Sequence, residues 1–181
     1  MFRTCLAAAF ALVLGACAAP EPPSMAMPVA TPQHKQLQKG VGTWEGTLTM
    51  FMPGIPAAPI PARDVVEPIG AYWTQSRFTC NFMGMDFLGT GTMGYDPVLD
   101  RYVGTWIDNM TSELAVMNGE MDPAGKTLIM RFNARDPQTG NVVPHRIETS
   151  FGENSYTSTF FHGHGAGVKA MVIEMKRAAG K

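Results

Sequence analysis

Residues 72–82 read Tyr72-Trp73-Thr74-Gln75-Ser76-Arg77-Phe78-Thr79-Cys80-Asn81-Phe82, and this stretch decides the fold. Phe78, Cys80 and Phe82 recur at every second position against Gln75, Arg77 and Asn81, the period of a strand with one apolar face. Residues 41–52 repeat the alternation, with Trp44, Leu48, Met50 and Met52 on one side and Thr43, Glu45, Thr47 and Thr49 on the other. Eight further strands are predicted over 64–69, 86–95, 101–108, 113–120, 126–133, 142–151, 156–162 and 168–177, after a short helical turn at 32–39. Asp96-Pro97, Asp122-Pro123 and Asp136-Pro137 open tight turns, and Gly125 and Gly140 close two of them. In such turns Asp caps with its side chain, Pro presets φ and Gly accepts the positive φ.

Loops this short join only antiparallel neighbours, because parallel crossovers need a dozen or more residues. Ten strands left as an open sheet would expose two edges, which closure removes. The expectation is an all-β, ten-stranded, antiparallel up-and-down barrel with a short N-terminal helical turn. The proline-rich stretch 53–61 is expected to be irregular and to form a lid or rim at one mouth.

Composition agrees with this and removes other classes. The chain has 181 residues with 14 basic and 15 acidic side chains, a net charge of -1, so no footprint for nucleic acid exists. Nineteen Gly and 14 Pro, with only 16% charged residues, argue against coiled coils, helical bundles and disorder.

The N-terminus reads as an export signal over residues 1–16. Arg3 precedes an uncharged run from Cys5 to Gly15 that is too short to span a bilayer of about 30 Å. Leu14-Gly15-Ala16-Cys17 resembles the bacterial lipobox, which implies lipidation of Cys17 and a membrane anchor. Ala18 after the cysteine favours sorting to the outer membrane, with the domain facing the periplasm. Residues 17–33 read as a Pro-rich tether, 34–177 as the barrel domain and 178–181 as a tail. Cys80 is then the one free thiol of an exported domain without a disulfide framework, and its alternation with Phe78 and Phe82 predicts a buried, inert role.

Gly42-x-Trp44-x-Gly46 after a helical turn resembles the opening of calycin-type barrels. Phe82-Met83-Gly84-Met85, Gly94-Tyr95-Asp96-Pro97, Tyr102-x-Gly104-x-Trp106-x-Asp108 and Gly125-Lys126-Thr127-Leu128 extend the likeness. Together they resemble the bacterial domain-of-unknown-function family 1579, across about residues 34–177. That resemblance implies a fold similar to fatty-acid-binding and nitrobindin barrels. It also implies that Trp44 plugs one barrel end, with a basic residue of the last strand, Lys176 or Arg177, packed over it.

A ten-stranded barrel is wide enough to leave a cavity. The leading expectation is non-enzymatic binding of a small apolar or amphipathic ligand, with Tyr72, Trp73, Arg77, Phe78, Trp106, Arg131, Phe132 and Phe160 as candidate contacts. Arg77 or Arg131 would meet an acidic head group. No cofactor is expected. The rival classes are a metal or haem protein and a filled, ligand-free envelope scaffold. His162-Gly163-His164 would place two imidazoles on one strand face, with His145 or Glu148 as a third ligand. A haem ligand among His162 and His164 follows only from the likeness to nitrobindin. The eleven methionines beyond residue 49 suit pocket lining, with copper(I) ligation by Met50-x-Met52 or Met83-x-Met85 as the alternative. Gly89-x-Gly91-x-x-Gly94 matches a dinucleotide fingerprint in letters, but a turn follows it where a helix N-terminus is needed. No nucleophile elbow is present. Glu148 and Glu174 are expected on the outer face.

Overall fold

The structure is a computed structural model that describes residues 27–136 and 139–179. The export signal, Cys17 and the first part of the tether lie outside the described residues. Among the described residues no helix is long and apolar enough to cross a membrane.

The order is α1 (Pro32–Gln38), β1 (Gly42–Met50), β2 (Pro59–Ile69), β3 (Trp73–Phe82), β4 (Met85–Asp96) and β5 (Arg101–Asp108). It continues with β6 (Ala115–Met121), β7 (Thr127–Arg135), β8 (Val142–Phe151), β9 (Ser155–His162) and β10 (Val168–Arg177). Each strand pairs antiparallel with its chain neighbours. β1 closes on β10 in the register Leu48↔Ile173, making the sheet a closed ten-stranded barrel of the expected calycin-like class.

The start of β2 differs from expectation for a backbone reason. β2 begins at Pro59, inside the stretch expected to be irregular, and pairs Thr49↔Pro59 and Thr47↔Pro61 with β1. Prolines two apart present their missing N–H groups to one side. Pairing with β3 starts only at Ala62↔Cys80, so that side needs no donor there. α1 spans Pro32–Gln38 behind the N-cap Thr31, where the helical turn at 32–39 is expected. Proline at the first helical position has no N–H to waste, and Thr31 caps the next turn.

The glycines of the false fingerprint have a packing role. A Cβ on Gly89 or Gly94 would fall within 2.0 Å of the Trp106 ring and 2.4 Å of the Trp73 ring, respectively. β4 is therefore a strand whose glycines seat one indole inside the barrel and one outside.

Candidate functional site

Alternation along the ten strands turns one face of each inward, and the inward faces enclose a cavity of about 950 Å³. Leu48, Phe78, Met117, Leu128, Met130 and Ile173 line it and belong to the two buried clusters of the core. The barrel is thus packed along its walls and hollow within. Pockets for small organic ligands run from about 300 to 1,000 Å³, so this one sits at the upper end.

One end is closed. Trp44 is 4% exposed, and its indole N–H donates to the Gly40 carbonyl at 2.8 Å. Of the two basic candidates on β10, Arg177 packs over Trp44, with its guanidinium carbon 4.3 Å from the ring centre. It also donates to the Val41 and Lys39 carbonyls at 2.8 and 2.7 Å. Lys176 is exposed on the outside. Gly42 is required at this point, because its φ is +139° and a Cβ would meet the Arg177 Nη1 at 2.5 Å. α1 lies across the same end. His34, 4% exposed, accepts from the Thr31 N–H through Nδ1 and bonds the Tyr95 carbonyl through Nε2 at 3.0 Å.

Just inside this plug sits a carboxylate. Asp64 is 7% exposed and accepts hydrogen bonds from the Ser76 hydroxyl at 2.6 Å and the Tyr156 hydroxyl at 2.9 Å. The second bond crosses from β9 to β2, in front of Trp44, whose ring meets Tyr156 edge-on at 5.2 Å between centroids. Asp64 pairs in register with Trp44 on one side and Phe78 on the other. Burial raises its acid above the ordinary 3.8, and the two hydroxyl bonds oppose that only in part. The same burial and the adjacent carboxylate push the Tyr156 phenol far up.

The other end is open and studded with exposed apolar side chains, including Phe51, Ile55, Met83, Met110 and Leu114. Inside this mouth, His145 stacks on Phe132 at 4.9 Å and faces His162 at 6.3 Å between centroids. The His145 Nε2 is buried with no hydrogen-bond partner among the described residues. Burial first, then the neighbouring His162, lowers its pKa below 6.5.

The residues named from the sequence divide by face. Phe78, Trp106, Phe132 and Phe160 border the cavity, as do Trp44 and His145. Tyr72 instead packs edge-on against His34 and bonds the Pro28 carbonyl, outside the cavity. Trp73 and Arg77 occupy the outward positions of β3 and are exposed, while Arg131 on β7 pairs with Glu120 at 2.9 Å on the outer surface. All three are corrections: strand parity sends them away from the interior, so no arginine of this set reaches an acidic head group inside. His164 is also corrected. β9 ends at His162, Gly163 turns at φ +91°, and His164 stands exposed in the loop rather than sharing a face with His162. Glu148 is engaged by Arg146 at 2.8 Å. Among the described residues no three metal-ligating side chains converge. Met50 borders the cavity, whereas Met52, Met83 and Met85 are exposed. Cys80 borders the cavity as a free thiol whose pKa burial raises, the setting of an unreactive cysteine.

Asp64 is the residue that sequence reasoning missed. Its signal was parity, since Ala62, Asp64 and Val66 share one face. The strand is expected to start at residue 64, which leaves Asp64 at its end with no face assigned.

A family model described as a protein of unknown function, DUF1579, matches residues 29–177. The crystal structure of Rv2717c from M. tuberculosis has a TM-score of 0.60 at 11% identity, over 83% of this chain and 100% of that one. An S-type phycobiliprotein lyase, CPES from Guillardia theta, has a TM-score of 0.58 at 12% identity, over 82% of this chain and 94% of that one. At these identities the likeness concerns the fold alone. No curated protein matches the chain.

Proposed function

The chain belongs to the DUF1579 family, and from that premise we propose that it is a non-enzymatic container for a small apolar or amphipathic ligand. The observation that carries this reading is the cavity of about 950 Å³ with its wall of Leu, Ile, Met and aromatic side chains. A filled scaffold would have side chains where this barrel has space. Native mass spectrometry of protein taken from its own host tests the reading, because a retained ligand appears as added mass. Protein that is bare and also refuses a fluorescent fatty-acid probe would overturn it.

We place the container in the cell envelope, anchored by lipid on Cys17, facing the periplasm from the outer membrane. Cys17→Ser should release it from membranes, and unchanged partitioning would defeat the anchor. The rival reading, a metal or haem barrel, is favoured by the unpartnered His145 Nε2 beside His162. Its signature is a haem absorbance band or stoichiometric metal that His162→Ala removes.

A further inference from the structure

We propose that the closed end of the cavity receives a cationic head group, an ammonium ion set against the Asp64 carboxylate. The proposal rests on the container reading and names the class of ligand.

A buried carboxylate is costly unless a cation accompanies it. Asp64 is buried, and among the described residues no Lys, Arg or His forms an ion pair with it. Arg177, two strands away, is committed to the Trp44 face and two backbone carbonyls. His145 and His162 stand at the opposite mouth. The hydroxyls of Ser76 and Tyr156 hold the carboxylate in place and use one lone pair on each oxygen. A carboxylate offers about four acceptor sites, so two stay free and leave its charge open to a cation in the cavity.

The flanking groups suit the same guest. Trp44, Phe78 and Tyr156 surround Asp64, and all border the cavity. Aromatic faces attract ammonium ions, quaternary ones included, and such rings around a carboxylate make a cage for that head group. An acidic head group would meet repulsion from Asp64; of the cations at this end, Arg177 is held by the Trp44 ring and two carbonyls, and Lys39 and Lys126 border the cavity without an ion pair to Asp64. The apolar tail would then run past Leu48, Met130 and Ile173 toward the open mouth.

The test compares dodecyltrimethylammonium, dodecanoate and dodecanol, titrated below micelle-forming concentrations against full-length protein at neutral pH. Binding is read by calorimetry and by the fluorescence of Trp44 and Trp106. The expected result is at least about tenfold tighter binding of the ammonium than of the carboxylate, with dodecanol between. Asp64→Asn should abolish the preference while dodecanol still binds, which reports an intact cavity. Dodecanoate binding as tightly as the ammonium, or a preference that survives in Asp64→Asn, overturns the proposal and leaves the container standing. If none of the three binds, the container reading falls and takes this proposal with it.

Discussion

At the α1 end, side chains distant in sequence bind one another and the backbone: Arg177 to Val41 and Lys39, Tyr156 to Asp64, His34 to Tyr95. At the opposite end, Phe51, Ile55, Met83, Met110 and Leu114 are exposed, and His145 keeps a buried nitrogen without a partner among the described residues. Both ends terminate the same ten strands, so their difference is not imposed by the sheet. A hollow barrel loses the packing of a filled core, and its cross-links must come from the ends. The ties at the opposite mouth, Asn109 to Asp86 and Leu88, Glu113 to Arg135 and Arg146 to Ala166, join residues 20 to 23 positions apart, whereas those at the α1 end reach from 61 to 138.

The comparison is sharpest at Trp44. Trp44→Ala removes a buried indole, its hydrogen bond to Gly40 and the seat of Arg177, and should cost about 3–5 kcal/mol. Met83→Ser at the open end, on a side chain 70% exposed, should stay within about 0.5 kcal/mol. Chemical unfolding of the two variants measures the contrast. Equal losses would mean that the ends share the load. Next in size is Arg177→Ala, which strips the cation from the indole and leaves two carbonyls to find water. It should cost about 1–3 kcal/mol, against almost nothing for the exposed Lys176→Ala. A null result at Arg177 would make the plug a matter of Trp44 alone.

The wall of the barrel was legible in the sequence and its ends were not. Alternation at 72–82 and Asp-led turns of fixed chemistry depend on residues within a few positions of each other, so ten strands and their order followed from local rules. β2 was shortened because proline reads as a breaker, although Pro59 and Pro61 lie where no ladder partner calls for their N–H. Trp73, Arg77 and Arg131 were drawn into the candidate site by residue type against the parity of their own strands. The Asp64–Tyr156 bond joins residues 92 positions apart, and nothing local marks either as half of a pair.

The smallest effects concern pH, and they oppose each other across the barrel. Asp64 has a folded pKa above its ordinary 3.8, so the folded empty protein binds its proton more tightly than the unfolded chain does. That contribution to stability is fully present below pH 3.8 and is lost as pH rises through the folded pKa. His145 has a folded pKa below 6.5, so its contribution is present above pH 6.5 and is lost as pH falls through the folded value. Asp64→Asn should therefore stabilise the empty protein at neutral pH, by roughly 1 kcal/mol on the scale of one ill-matched buried polar group, and flatten the acid-side slope. His145→Gln should remove the opposite slope, a change of order a few tenths of a kcal/mol at a partly solvated site. Unfolding midpoints from pH 4 to 8, measured with and without dodecyltrimethylammonium, separate the two ends. The ammonium should remove the Asp64 slope by supplying the missing cation and leave the His145 slope untouched. An Asp64→Asn protein less stable than wild type at neutral pH would mean the carboxylate serves the fold, and the closed end would then be a plug and nothing more.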